Sequence, residues 1–161
     1  MLEIGVANVS GAVITDAEGR SQMALWCIVK APLLIGCDLT TASDATLATL
    51  GAKEVIAVNQ DQLGKQGRLV PSASTAASQV WAGPLAQPGC YAAVLLHVGD
   101  DPAGANVTVS VDMLEPGLPL DTKITVRDLW RRQDLGTFAG SFTAAVPGVH
   151  DNVMVKICGV K

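Results

Sequence analysis

At 161 residues the chain has room for one ordinary domain or two small units. It is 49% hydrophobic and only 16% charged, which excludes a disordered chain and requires most of it to pack. A net charge of -4, with the densest cations (Arg127, Arg131, Arg132) set beside Asp128 and Asp134, excludes a nucleic-acid footprint, and 4% aromatic residues are too few for a surface of stacking platforms.

The chain opens on Leu2-Glu3-Ile4-Gly5, which reads as the tail of a strand, followed by a turn-rich stretch from Ala7 to Gly11. Thr15 with Glu18 three residues on is a capping-box arrangement, and it predicts a helix from about Asp16 to Lys30. The second half of that helix, Met23 to Val29, is apolar on every side, so it is expected to be buried against several neighbours. Lys30 and Pro32 end it, and no apolar run reaches the ~18 residues of a membrane span. Pro32-Leu33-Leu34-Ile35-Gly36-Cys37 reads as a short buried strand of the parallel-sheet type. Ser43 and Asp44 cap a second helix over Ala45 to Leu50, closed by Gly51, and Lys53 to Asn59 is a third short helix or a turn.

This alternation of strand and helix implies a parallel sheet. Two such strands leave both faces and both edges open, so the reading is locally consistent and globally incomplete, and further βα units are expected upstream. Beyond residue 65 the pattern changes to short strands between Gly, Pro and Asp turns. The expected strands are 68–70, 79–82, 91–97, 106–111, 123–130, 138–145 and 152–158, with Val107, Val109 and Val111 alternating against Thr108 and Ser110. About seven short antiparallel strands predict a β-sandwich or Greek-key domain.

Of the four cysteines, Cys27 lies in the apolar helix and is expected as a buried free thiol. Cys90 and Cys158 both fall in the strand-rich half and could meet, but four unpaired thiols read equally well. No Cys-x-x-Cys pair and no His spacing suits zinc, so no metal ligands are assigned. The start of the chain lacks the basic, apolar pattern of a secretory leader, which alone predicts a cytosolic protein. Two sequons, Asn8-Val9-Ser10 and Asn106-Val107-Thr108, pull the other way, since they matter only in a secretory chain.

Several stretches resemble one family. Met1 to Gly5 is similar to the segment after an Asp at the end of a late barrel strand in family 27 glycoside hydrolases, the α-galactosidases or melibiases. Ser21 to Leu39 resembles that family's seventh helix and eighth strand, and Lys53 to Gly67 resembles the segment leaving the barrel. Val80-Trp81-Ala82-Gly83-Pro84-Leu85 and Val126-Arg127-Asp128-Leu129-Trp130 resemble landmarks of its C-terminal β-domain.

The resemblance implies the last βα units of a (β/α)8 barrel over residues 1–64, followed by an antiparallel β-sandwich over 65–161. It implies a retaining α-galactosidase, or a relative acting on N-acetylgalactosaminides, that is secreted, vacuolar or lysosomal and needs no cofactor. Its partner is a carbohydrate substrate, with no nucleic acid and no membrane, and its oligomeric state is left open. Both catalytic aspartates are expected on barrel strands preceding Met1, so no catalytic residue is assigned in this chain, which alone is expected to be inactive; only Met1 would line the sugar pocket. The loop 6–15 departs from the family, which usually has a compact Gly-Asn turn on this active-site face.

Other residues invite sharper readings. Asp38 follows the expected eighth strand, where barrel active sites sit, but a loop or cap carboxylate is the plainer reading, as is a helix-end hydrogen-bonding role for Asp61. Trp26 is expected in the core, and Trp81 and Trp130 in core packing or an inter-domain contact. His97 and His150 have no evident nucleophile partner. The competing function is a non-catalytic sandwich over 66–161 that binds carbohydrate or a partner beside a barrel remnant.

Overall fold

The computed structural model describes residues 1–7 and 11–159; the sequon Asn8-Val9-Ser10 lies outside the described residues. Three helices come first: α1 (Asp16–Ile28), α2 (Asp44–Leu50) and α3 (Lys53–Asn59). Strands follow: β1 (Arg68–Leu69), β2 (Ser78–Pro84), β3 (Cys90–His97), β4 (Ala105–Ser110), a one-turn helix α4 (Val111–Leu114), then β5 (Lys123–Asp128), β6 (Gln133–Ala139), β7 (Ser141–Val146) and β8 (Asn152–Cys158).

Thr15 caps α1 as its sequence predicts. Its Oγ1 accepts from the Glu18 amide at 3.2 Å, and Glu18 Oε2 accepts from the Thr15 amide at 2.8 Å. Ser43 caps α2 the same way, accepting from the Thr46 amide at 3.1 Å. At its C-terminus α1 turns through Lys30 at φ 57°, whose Nζ donates to the Val58 carbonyl, while Asn59 Nδ2 donates to the Ala31 carbonyl at 2.9 Å. Those two bonds tie the exit of α1 to α3.

Residues 32–37 differ from the expected buried strand. They form a single parallel bridge, Leu2 to Ile35, and Leu34 and Ile35 are 62% and 45% exposed. A parallel strand takes its burial from neighbours on both sides, and among the described residues only Leu2 supplies one. The loop ahead of α1 has an antiparallel bridge of its own, Ala7 to Val13.

The sandwich is two antiparallel layers. One is a six-stranded sheet in the order β1-β2-β3-β8-β5-β6, and the other is the pair β4-β7. Between them Val80, Leu95, Val155 and Ile157 meet Val107, Val109 and Phe142. The opposite face of the six-stranded sheet is also covered: Ala92, Val94, Leu96 and Met154 pack against Met23, Ala24, Cys27 and Ile28 of α1. Burial on both faces explains why β3 reads as an unbroken apolar run.

The chain leaves the helices through Gly67, whose amide donates to the Ile28 carbonyl at 2.8 Å. A Cβ on Gly67 would come within 2.5 Å of the Ile28 side chain, and one on Gly83 within 2.6 Å of the Gly67 Cα, so β2 crosses this exit only because both residues lack a side chain.

One strand was expected over 138–145; the structure has two, β6 and β7, hinged at Gly140 (φ 63°). The expectation for 152–158 coincides with β8, while the one for 123–130 runs past β5 into the turn.

Candidate active-site end and inter-layer interface

The N-termini of α1 and α2 open onto one cavity of ≈ 500 Å³, lined by Ile4, Gly5, Asp16, Asp38 and Ser43 among others. Both loops feeding it run from a strand segment into a helix, the end of a βα unit where barrel active sites lie. A larger groove of ≈ 980 Å³, with Lys30, Lys65, Arg68 and Tyr91 in its walls, opens at the other end of α1. That end leads away from the strand-to-helix loops, whereas the smaller cavity lies between them.

Asp38 lies in that cavity and is exposed. Its Oδ1 accepts from the Thr40 amide at 2.9 Å and from Thr40 Oγ1 at 2.7 Å, and these bonds hold its carboxyl below the usual carboxylate range. A glycosidase acid needs the opposite shift, since it must keep a proton near neutrality. The two bonds from Thr40 make Asp38 a turn-forming loop carboxylate, and it does not cap α2, a task done by Ser43. Met1 is 69% exposed and lies against Gly36, so that a Cβ on Gly36 would be 3.2 Å from Met1 Cε.

Asp61 accepts at one oxygen from the Leu63 amide at 3.1 Å and from the Ala86 amide at 2.9 Å, joining the end of α3 to the β2–β3 turn. Trp26, Trp81 and Trp130 are all half-buried against the cluster between α1 and the sheet. Trp81 Nε1 donates to Gln79 at 3.0 Å and Trp130 Nε1 to Asn152 at 2.9 Å. Trp81 and Trp130 thus serve the contact between sheet and helices, and none of the three offers an open sugar platform. His97 is buried with Nδ1 2.8 Å from the Gly148 carbonyl oxygen, and His150 Nδ1 lies 3.1 Å from Glu18 Oε1. Neither faces a nucleophile.

What sequence reasoning missed is the polar lacing of this interface. Arg127 donates twice to Glu54 of α3, at 2.8 and 2.7 Å, and once to Asp134 at 2.8 Å. The hydrogen bonds from Arg127 hold the Glu54 carboxyl below its ordinary range. Arg20 of α1 pairs with Asp151 at 2.7 Å, while Ser21 Oγ donates to the His150 carbonyl at 2.6 Å and accepts from Asn152 at 3.1 Å. Glu18 is also held low, first by the Thr15 amide and hydroxyl and then by His150. No short motif announces the pairs that join helices to sheet, because those partners are 73 to 132 residues apart. The sequence-level trace is the polar first half of α1, where Glu18, Arg20 and Ser21 precede the apolar run from Met23.

Cys90 and Cys158 stand directly opposite in the β3–β8 register and form a disulfide; Cys27 is a buried free thiol, as expected, and Cys37 is free and half-buried.

Residues 75–157 match the family model for the α-galactosidase C-terminal β-sandwich domain, and residues 5–61 match the model described as α-galactosidase A. The chain belongs to the α-galactosidase family, glycoside hydrolase family 27. It is 40% identical over 153 residues to α-galactosidase 3 of Arabidopsis thaliana, covering 94% of this chain and 32% of that protein. It is 38% identical to the α-galactosidase of Coffea arabica, covering 96% and 37%. The chain thus spans about a third of the length of these relatives. Among solved structures, α-galactosidase I from Mortierella vinacea superposes with a TM-score of 0.83 at 30% identity, covering 94% of this chain and 38% of that one. A family 27 β-L-arabinopyranosidase from Geobacillus stearothermophilus superposes at 0.81 with 26% identity, covering 98% and 36%.

Proposed function

We propose that this chain forms the C-terminal part of a retaining α-galactosidase that releases terminal α-D-galactosyl residues from oligosaccharides and glycoconjugates. The observation that carries the reading is order: the two matched segments, 5–61 and 75–157, follow each other as barrel end and sandwich of a single enzyme family. On this reading residues 1–64 close the barrel and residues 65–161 brace it. A retaining enzyme sets two carboxylates ~5–5.5 Å apart, one as nucleophile and one as acid/base. Both are assigned to barrel strands preceding Met1, with Met1 itself against the sugar. Asp38 Oδ1 is committed to the Thr40 amide and hydroxyl, which supports reading it as a loop residue outside that pair. The relation to an arabinopyranosidase makes the sugar's C5 substituent the feature to test first. The half-buried tryptophans weigh against the alternative of a stand-alone sugar-binding sandwich.

The Cys90–Cys158 disulfide supports a secreted, vacuolar or lysosomal protein, because such bonds persist in oxidising compartments. The test is hydrolysis of an aryl α-galactoside by the native protein and by the isolated 161-residue chain. The native protein is expected to turn over with retention at the anomeric carbon, seen by NMR, and the isolated chain is expected to be inactive. Turnover by the purified chain that disappears in Asp38→Asn would overturn the assignment.

A further inference from the structure

The layer β4–β7 presents an exposed outer face on one side of the sandwich. Among the described residues it contains only these two strands, so each keeps one edge that no other strand pairs. Proteins blunt such edges with charge, proline or bulges. Here the strands read Ala-Asn-Val-Thr-Val-Ser and Ser-Phe-Thr-Ala-Ala-Val, without a charged residue or a proline, and they pair from Ala105–Val146 to Ser110–Ser141 without a register shift. Six-residue segments of this kind are an association hazard. Their inner side chains, Val107, Val109, Phe142, Ala144 and Val146, are in the core; their outer ones, Asn106, Thr108, Ser141, Thr143 and Ala145, are exposed.

Within this face stands the sequon Asn106-Val107-Thr108. Asn106 and Thr108 share the outer face, and Thr108 Oγ1 lies 2.8 Å from Thr143 Oγ1 of the neighbouring strand. Among the described residues no side-chain hydrogen bond engages the Asn106 carboxamide. The disulfide supplies the independent sign of a secretory route.

We propose that Asn106 carries an N-linked oligosaccharide whose role is to cover the open β4–β7 layer. The donor class is an oligosaccharide on a polyprenyl diphosphate. The Asn106 nitrogen forms the new bond to the sugar's anomeric carbon and loses one proton, the anomeric carbon–oxygen bond breaks, and polyprenyl diphosphate leaves. The proposal rests on the compartment assigned above, so the test reads both at once.

Native protein is digested without reduction, and the disulfide-linked peptides and the Asn106 peptide are followed together by mass spectrometry. Treatment with peptide N-glycosidase in heavy-oxygen water is expected to leave labelled aspartate at 106 in molecules that carry the Cys90–Cys158 link. Unmodified Asn106 in disulfide-linked molecules would overturn the proposal alone; free thiols at both cysteines with unmodified Asn106 would overturn the compartment as well. In the expressed protein, Thr108→Ala is expected to abolish the glycan and Thr108→Ser to keep it. Enzymatic deglycosylation is expected to shift the folded protein to larger species in light scattering with an unchanged circular dichroism spectrum. An unchanged size distribution would remove the covering role.

Discussion

Cys27 and Cys37 sit close in the chain but in opposite environments. Cys27 packs inside α1 against the sheet, and burial pushes its thiol up to about 12. Since the thiolate is the reactive form, it should be inert. Cys37 is half-buried beside the strand-to-helix cavity. Alkylation of the folded protein followed by peptide mapping is therefore expected to label Cys37 and spare Cys27 until denaturant is added. Equal labelling of both in buffer would mean that α1 does not stay docked. Glu54 gives a second residue-scale prediction. Its folded-state carboxyl titrates below the ordinary range, so its pairing with Arg127 stabilises fully above the unfolded carboxyl value of ~4.3 and is lost as the pH falls through the lower folded value. The urea midpoint of Glu54→Gln should lie below that of the parent at pH ~7, and the gap should narrow as the pH falls below the ordinary carboxylate range. A gap that stays constant across that range would show that Glu54 contributes by packing and not by charge.

At the scale of elements, Gly140 separates what the sequence presents as one strand. The apolar alternation of Phe138, Phe142 and Ala144 runs through the hinge, so period two alone does not reveal it. The backbone there is left-handed at φ 63°, the Gly140 amide donates to the Thr122 carbonyl at 2.8 Å, and a Cβ would come within 1.7 Å of the Leu120 carbonyl oxygen. Gly140→Ala is expected to destabilise by about 2–4 kcal/mol through backbone strain and a forced shift of residues 120–122. Urea unfolding checks it, and a change under about 0.5 kcal/mol, the size of a neutral surface substitution, would mean the hinge relaxes freely. Elements with a local chemical signature were legible beforehand: the Thr15–Glu18 box, the Ser43 cap and the β-branched runs of β4 and β8. β6 was not, because it is an exposed edge strand whose side chains need no apolar alternation. The 32–37 segment, expected as a buried parallel strand, keeps one parallel bridge but stays exposed, because among the described residues only Leu2 lies beside it.

Across the whole molecule, the two faces of the helical layer are treated differently. Its inner face is closed by the sheet, with Met23, Ala24 and Ile28 buried and the Arg127–Glu54 and Arg20–Asp151 pairs lacing the rim. The other side carries Leu34, Leu39 and Leu47 at 62%, 49% and 42% exposure, beside Met1 and Val13. The barrel reading was legible at the level of motif order, but its catalytic geometry was not, because a barrel site is assembled from the ends of several strands. Scattered exposed leucines need no explanation, but Leu34 and Ile35 are exposed at a one-bridge parallel pair with no further strand beside it among the described residues. The isolated chain is accordingly expected to bind a dye specific for exposed apolar surface and to associate with rising concentration, while its sandwich keeps a cooperative transition. Substituting Leu34 and Leu39 by Ser should lower the dye signal severalfold without moving that transition, since neither residue belongs to the two buried clusters. A dye-silent monomer would instead mean that residues 1–63 rearrange in solution to bury this face, and the open edge beside Ile35 would then be the first place to look for the new contact.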